Sequence, residues 1–146
     1  MKTQKLYDIL SRFYDVVVSM LFIRTKEEKV ISPIIKKVVK STDTVLEIGA
    51  GTGNYTGLLV EIAKKVIATE PSLGMFKKLK KKLSSKKNVV LKRKGIENLS
   101  LKEKIDSIIS ISVAEHVKFS DLTSFFIKSK AKKAVFTVPT KRFVGY

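Results

Sequence analysis

Apolar residues recur at helical spacing through the first forty positions of the chain. One stripe comprises Leu6, Ile9, Leu10, Phe13, Val17 and Met20 or Leu21, and a second comprises Val30, Ile31, Ile34, Ile35, Val38 and Val39. This spacing predicts a helical segment over residues 1–40. Thr25 and Glu28 have the spacing of a capping box, which predicts that a helix begins at Thr25. Pro33 interrupts the second stripe, so either one helix bends there or a new helix begins with Ser32 as its cap.

From residue 44 onward, short runs rich in β-branched residues alternate with longer amphipathic stretches. The short runs predict five strands: Thr44–Ile48, Lys65–Thr69, Asn88–Lys92, Ser107–Ser112 and Ala134–Val138. The longer stretches predict helices at about 54–63, 72–84 and 119–130. Such alternation predicts a doubly wound α/β fold with a parallel sheet and right-handed crossovers. We therefore expect a single domain over residues 1–146, in which residues 41–146 form the ligand-binding core.

A glycine-rich loop, Gly49-Ala50-Gly51-Thr52-Gly53, follows the first predicted strand and precedes a predicted helix. Glycines permit a tight turn and let a ligand approach the backbone without a Cβ in the way. The carboxyl end of such a strand is where open α/β sheets bind ligands. The dinucleotide fingerprint G-x-G-x-x-G would need a glycine at position 54, which is Asn54, so the spacing here is G-x-G-x-G.

Two acidic residues accompany this loop. Glu47 lies two positions before its first glycine, and Glu70 ends the second predicted strand. A carboxylate at the tip of the second strand can accept hydrogen bonds from both hydroxyls of a ribose. Glu70 suits both a dinucleotide and another nucleoside cofactor. The alternative without a ligand is that Glu70 is a solvated charge at a strand end. Together, the loop and Glu70 predict a nucleoside-containing cofactor.

The combination of Glu47 with G-x-G-x-G resembles motif I of the class I S-adenosylmethionine-dependent methyltransferases. The chain is similar to their type 11 group, which includes enzymes that methylate quinones and lipids. Phe13-Tyr14-Asp15 resembles the aromatic-Tyr-Asp element of that group. Ile105–Ile109, followed by Ser112–Val117, resembles its fourth motif. The resemblance implies a Rossmann-like three-layer sandwich, S-adenosylmethionine as cofactor, and methyl transfer to a small molecule or lipid.

The resemblance also implies roles for individual residues. The implied cofactor-binding residues are Glu47, Gly49, Gly51, Gly53, Glu70, Ile96, Glu97 and Ser112. Tyr14 would close over the cofactor, unless it is an ordinary core aromatic. The family commonly has Gly-Asp-Ala where this chain has Lys94-Gly95-Ile96, so contact with adenine would fall to the Ile96 backbone N–H or to Glu97.

His116 is the sole histidine and would lie just past the fourth strand. A histidine can exchange a proton near neutral pH, which suits a proton-transfer role; the alternative is a packing histidine at a helix start. Thr140 and Arg142, beyond the fifth strand, are candidates for contact with the acceptor.

The chain ends at Tyr146, soon after the fifth predicted strand, whereas the sheet of the resembling family continues with a sixth and a seventh strand. We therefore expect five strands in the order 3-2-1-4-5, with the fifth at an edge. Unpaired edges promote association, and the tail over residues 142–146 is apolar. We expect this edge and tail to be buried in a homodimer or hetero-complex, the alternative being a monomer whose N-terminal helices cover the edge.

Thirty Lys and Arg against thirteen Asp and Glu give a net charge of +17. The densest cations lie in Lys77–Lys94, which contains ten cations and no acidic residue. Such a field attracts RNA or an anionic surface. Two alternatives stay open, a solvated helix face and the lysine enrichment that accompanies growth at high temperature.

The chain has no cysteine, which excludes disulfides and thiolate metal sites, and we expect no metal. No signal-peptide pattern opens it, and its longest apolar run, Val16–Ile23, is well below the roughly 20 residues that span a bilayer. We expect a cytoplasmic protein without a transmembrane segment.

Four functions remain open on the sequence alone. A methyltransferase acting on a small molecule or lipid comes first, and one acting on RNA through the basic surface is the alternative within the same class. A catalytically incomplete cofactor-binding subunit is the alternative outside it. A nicotinamide-dependent oxidoreductase is disfavoured because Asn54 breaks the dinucleotide fingerprint.

Overall fold

A computed structural model of the chain describes residues 23–113 and 116–137. Its first half contains helix α1 (Ile23–Val38), strand β1 (Thr44–Ile48), helix α2 (Asn54–Ile62), strand β2 (Lys65–Thr69) and helix α3 (Leu73–Leu83). Its second half contains strand β3 (Val89–Lys92), a 3-10 turn (Ile96–Asn98), strand β4 (Ser107–Ser110), helix α4 (Phe119–Ser129) and strand β5 (Lys133–Phe136).

The five strands form one parallel sheet in the order β3-β2-β1-β4-β5. Both the α/β class and the strand order expected from the sequence are thereby confirmed. β1 lies at the centre, where Val45 pairs with Val66 of β2 on one side and with Ser107 of β4 on the other. The chain runs outward in opposite directions from β1 and β4, so the topological switch point lies where these two strands end.

Alternate residues of each central strand point to opposite faces of the sheet, as the pleat requires. On one face, Val45 and Val66 belong to a buried cluster with α1, α2 and α3. On the other face, Leu46 and Ile67 belong to a second cluster that includes Leu122 of α4. The sheet is thus covered by helices on both sides, which explains why its central strands are almost continuously apolar. The three-layer sandwich is confirmed.

The strand bounds differ from the predicted ones by one or two residues at a few ends. Asn88 lies just before β3: its backbone carbonyl accepts from the Val66 N–H of β2 at 2.8 Å, and its side chain donates to the carbonyl oxygens of Val60 and Ala63, at 2.8 and 3.2 Å. β4 ends at Ser110 rather than Ser112, whose φ of 56° is left-handed and cannot continue a strand. β5 begins one residue early, at Lys133.

Helix α1 corrects two expectations. It continues through Pro33, so a second helix capped by Ser32 is wrong. Proline is accommodated because Pro33 is exposed, while Ile31 and Ile35, four positions apart, form one buried face. A helix start at Thr25 is also wrong, because Thr25 lies inside a helix that already includes Ile23. Most of the predicted N-terminal segment, residues 1–22, lies outside the described residues.

An ion pair holds the amino-terminal end of the sheet together. The buried carboxylate of Asp43 accepts hydrogen bonds from Lys133 Nζ on β5, from the Lys40 backbone N–H (2.9 Å) and from Ser107 Oγ (2.9 Å). Lys133 Nζ also donates to the Val38 carbonyl at the end of α1, at 3.0 Å. Burial alone would raise the pKa of Asp43, but these hydrogen bonds and the Lys133 charge outweigh burial and lower it. One network therefore joins α1, β1, β4 and β5.

Among the described residues, β5 lies at one edge of the sheet. The tail over residues 142–146 lies outside them, so association through this edge stays a prediction. No helix in the described part of the chain combines the length and the apolar composition needed to cross a bilayer.

Candidate functional site

The glycine loop leaves β1 at the switch point of the sheet. Its three glycines all have positive φ, namely 73° at Gly49, 59° at Gly51 and 90° at Gly53. The backbone N–H groups of Gly49 and Ala50 both donate to the Thr69 carbonyl at the end of β2, each at 2.9 Å. The loop is therefore fixed to β2, in a conformation that residues with a Cβ rarely adopt.

The three glycines are required for different reasons. A Cβ built on Gly49 would lie 2.3 Å from Val113 Cγ2, and one on Gly53 would lie 2.7 Å from Leu79 Cδ1. Gly49 thus permits close packing of the loop against the residues after β4, and Gly53 permits packing of α2 against α3. Among the residues that the structure describes, a Cβ on Gly51 would meet only Met75 Sδ, at 3.9 Å. These residues leave space over Gly51, as a ligand that approaches the backbone requires.

Glu70 links this loop to the start of α3. Its Oε2 accepts from the Gly51 N–H and its Oε1 from the Ser72 N–H, each at 2.8 Å. Ser72 in turn caps α3, because its Oγ accepts from the Met75 N–H at 3.3 Å. Glu70 is only 7% exposed, so the alternative of a solvated strand-end charge is wrong.

A cleft of about 390 Å³ opens above the carboxyl ends of β1, β2 and β4. This volume lies within the roughly 300–1,000 Å³ of small-molecule and cofactor sites. The structure brings seven of the predicted residues together on its walls: Gly49, Gly51, Glu70, Ile96, Glu97, Ser112 and His116. Gly53 is not among the residues that line it. Tyr14, Thr140 and Arg142 lie outside the described residues and remain predictions.

Several residues that line the cleft were not singled out as site residues, among them Ser72, Met75 and Val113. Ser72 and Met75 carry a usable signal, since a serine two residues beyond a strand-end glutamate is a common helix cap. Val113 carries none, because its place depends on how β4 packs beside the glycine loop.

Glu47 lies beneath the loop and is 4% exposed. Its Oε2 accepts from Thr56 Oγ1 of α2 at 2.6 Å. Burial raises the pKa of Glu47 to about 7; the hydrogen bond from Thr56 opposes this rise, and the charge of Glu70 adds to it. Glu47 borders a smaller recess of about 100 Å³ beside Gly51, which Glu27 of α1 also lines. This carboxyl group therefore changes its charge near neutral pH, directly under the loop.

Ser112 lines both the cleft and the recess. Its left-handed backbone is held on two sides, because its N–H donates to Thr137 Oγ1 at 2.6 Å and its Oγ donates to Glu27 Oε1 at 2.9 Å. A strained residue held in place in this way is a common feature of functional sites. His116 is exposed on the neighbouring wall of the cleft, and its backbone N–H donates to the Val113 carbonyl at 2.9 Å.

Glu70→Ala is expected to weaken binding of S-adenosylhomocysteine by roughly 1.5–3 kcal/mol, the range for a lost hydrogen bond to a charged group. The substitution removes the acceptor for any ribose hydroxyl and also releases the N–H groups of Gly51 and Ser72. Calorimetric titration measures the change. The control is Glu61→Ala, which removes an exposed carboxylate of α2 paired with Lys86 and should leave affinity unchanged. Equal affinities of parent and Glu70→Ala would contradict a role for Glu70 in binding.

Known proteins provide three informative likenesses. A Dictyostelium discoideum protein named "Probable dimethyladenosine transferase" is 49% identical over 61 residues, which are 41% of this chain and 19% of that protein. The crystal structure of a dimethyladenosine transferase from Plasmodium falciparum is 27% identical with a TM-score of 0.54, over 67% of this chain and 35% of that one. A complex of DhpI with S-adenosylhomocysteine has a TM-score of 0.70 and 17% identity, over 93% of this chain and 68% of that one. The last likeness concerns the fold alone.

The chain spans well under half the length of either dimethyladenosine transferase. The family model for ribosomal RNA adenine dimethylase matches residues 13–130, which include the glycine loop, Glu70 and His116. This match covers most of the chain and confirms the class I interpretation. The chain therefore belongs to the ribosomal RNA adenine dimethylase family of S-adenosylmethionine-dependent methyltransferases.

Proposed function

We propose that this chain binds S-adenosylmethionine in the cleft at the switch point and transfers the methyl group to an adenine base of RNA. The observation that carries the cofactor is the open space over Gly51 beside the buried carboxylate of Glu70. The acceptor is supported by the family match over residues 13–130. The first interpretation of the sequence, a small molecule or lipid as acceptor, gains no support from that family, whereas the RNA alternative does.

The residues present fit the cofactor. Glu70 would hold the ribose hydroxyls, since a carboxylate offers about four acceptor positions. Ile48, Ile96 and Met75 supply apolar walls for a purine, and Glu97 lies at the same end of the cleft. Glu47 and Glu27 in the adjoining recess suit a cationic group. When bound, S-adenosylmethionine supplies a methyl group made electrophilic by its sulfonium.

The protein's part in the reaction is largely one of position. The reaction would join the amino nitrogen of adenine to the methyl carbon as the carbon–sulfur bond breaks, releasing S-adenosylhomocysteine and a proton from the nitrogen. The walls of the cleft would position the nucleophile and exclude water, which can supply most of such an acceleration. His116 lines the cleft and accepts the proton from the nitrogen. The target base must leave its stack to enter a cleft of this kind, as in other enzymes that modify bases.

The test is transfer of labelled methyl from S-adenosylmethionine to a small-subunit ribosomal RNA transcript. We expect label in RNA, recovered after nuclease digestion as methylated adenosine, and none in a DNA copy of the same sequence. His116→Asn should lower the transfer rate by roughly 10²–10⁴-fold, the contribution of general base catalysis, with cofactor affinity unchanged.

Three other outcomes would identify a different function. Label in a lipid or small-molecule fraction would restore the first interpretation of the sequence. Cofactor binding without transfer to any fraction would favour a cofactor-binding subunit. Failure to bind S-adenosylhomocysteine would overturn the assignment of the cleft itself.

A further inference from the structure

The positive charge of this chain is concentrated in one segment. Residues 71–96 contain ten lysine and arginine residues and no acidic residue, so they carry ten of the seventeen net charges of the 146-residue chain. A general enrichment in lysine would distribute charge along the whole sequence. The remaining 120 residues carry only seven net charges between them, so a local cause is required.

Helix α3 presents much of this charge on its outer side. Met75, Leu79 and Leu83 are buried against the sheet, whereas Lys77, Lys80 and Lys81 are exposed. These three lysines lie within about 6 Å along the helix axis, so they form one cluster of charge on the helix surface. Lys82 is directed elsewhere, since its Nζ donates to Asn54 Oδ1 at 3.1 Å.

Strand β3 continues the charge along the neighbouring edge of the sheet. Within the described part of the chain, β3 pairs with β2 only, and Val90 near its centre is 37% exposed. Lys87 precedes the strand, and Arg93 and Lys94 follow it, all three exposed. Charges next to an edge strand discourage unwanted pairing. That role does not account for the lysines of α3, which lie on a helix.

The charged surface reaches the cleft at Lys94, which is itself a lining residue. α3, which carries Lys77, Lys80 and Lys81, also begins at the cleft, where the uncharged Ser72 and Met75 form part of the wall. A polyanion bound along this surface would therefore lead directly to the site of the proposed reaction. Its nearness to the cleft, in addition to its charge, distinguishes this surface from the lysines elsewhere on the chain.

We propose that this α3–β3 basic face, made of Lys77, Lys80, Lys81, Lys87, Arg93 and Lys94, binds the phosphate backbone of a helical RNA beside the base to be methylated. This inference rests on the proposed function, since it names where its RNA substrate docks. Contacts with phosphates position a nucleic acid without reading its sequence, and lysines supply them.

Other polyanions fit this face less well. Residues 77–94 contain no aromatic side chain, so the stacking that holds single-stranded RNA is missing from this segment. A helix that binds membranes inserts an exposed apolar side. Most of the apolar side of α3 is buried instead, because Met75, Leu79 and Leu83 pack into the core of the protein, and Leu73 at the first position is exposed.

The test compares two triple variants that lose the same charge. Lys77→Gln/Lys80→Gln/Lys81→Gln alters the face, and Lys102→Gln/Lys128→Gln/Lys132→Gln removes three exposed lysines outside it. Fluorescence anisotropy measures binding to a labelled RNA hairpin over a range of salt concentrations. We expect the face variant to bind about tenfold more weakly, with a salt slope lower by about 2–3, while the control variant binds as the parent does. Both should bind S-adenosylhomocysteine normally.

The outcomes separate this proposal from the proposed function. Equal weakening by both triples would show that overall charge, not this face, binds RNA, and would overturn the proposal even if methyl transfer to RNA is found. Failure of the parent to bind the hairpin at low salt would overturn it as well. Loss of binding to phosphatidylserine vesicles in the face variant, with hairpin binding intact, would assign the face to a membrane surface. Weakened hairpin binding in the face variant alone would support the face even if the methylated acceptor is not adenine.

Discussion

Gly51→Val should abolish measurable binding of S-adenosylhomocysteine, a loss of at least about 100-fold, while the protein stays folded. The nearest atom to a Cβ at this position is Met75 Sδ, 3.9 Å away, so the new side chain would occupy the open space that the ligand needs. The φ of 59° adds a cost of about 1–2 kcal/mol for a residue with a Cβ, which is felt by the fold as well as by the site. Calorimetry measures affinity, and circular dichroism shows whether the fold is retained.

A second glycine provides the control. A Cβ on Gly57, in the middle of α2, would meet no atom of the described residues within 4 Å. Gly57→Ala should therefore bind as the parent does and gain about 0.5–1 kcal/mol in stability, as expected for a helical glycine replaced by alanine. If Gly51→Val proves too unstable to purify, Gly51→Ala tests the same space with a smaller group. Unaltered affinity in a folded Gly51 variant would show that the ligand lies elsewhere.

Asp43→Asn should lower the free energy of unfolding at pH 7 by about 3 kcal/mol, the lower end of the range for breaking a buried ion pair by removing one partner. The cost is high because Lys133 would keep its charge beside Asp43, at a side chain only 27% exposed. The hydrogen bonds from Ser107 and from the Lys40 backbone would also lose a charged acceptor. Urea denaturation measures the difference.

The same pair makes stability depend on pH in a predictable direction. The pKa of Asp43 is lower in the folded chain than in the unfolded one, so the folded state favours the charged carboxylate. The contribution of Asp43 to the free energy of unfolding is complete above the unfolded pKa of about 4. It is lost as the pH falls through the folded pKa. The difference between the parent and Asp43→Asn should shrink in acid. A difference that stays constant down to pH 2 would show that the loss has another origin. Glu61→Gln, which breaks an exposed pair with Lys86, should change little at any pH.

The elements of this fold were predictable because their signals are local. β-branched runs between polar residues identified β1 and β2 to the residue, and a strand followed by G-x-G-x-G located the ligand site. Most implied site residues converge on one cleft, because the carboxyl ends of neighbouring parallel strands meet at one edge of the sheet.

Interactions between distant parts of the chain were not predictable. Asp43 and Lys133 are 90 positions apart, and no pattern in either segment indicates the other. The packing role of Gly53 depends on Leu79 and Leu83 of a different helix, so its motif alone suggested ligand contact. The helix start predicted from the capping box at Thr25 was wrong, because the short pattern Thr-x-x-Glu also occurs inside helices.

The acceptor lies at the limit of what the sequence could indicate. The cofactor half of the cleft is encoded by a compact motif, whereas the acceptor is selected by surfaces drawn from several segments. The one signal of the acceptor in the sequence was the run of cations over Lys77–Lys94. That run could not be distinguished from a solvated face until α3 and β3 were seen to meet the cleft.

The strand order also has a consequence for the order of folding. Pairing β1 with β2 joins Val45 to Val66, whereas pairing β1 with β4 joins Val45 to Ser107, across a much longer loop. Longer loops cost more entropy to close, so we expect the β1–β2–β3 half to assemble first and β4 to join it late. The glycine loop and Glu70 belong to the early half, but Ser112 and His116 reach the site only with β4. On this order of folding, the cleft is complete only after β4 has paired with β1. A ligand that contacts both halves would then stabilise only the fully folded chain.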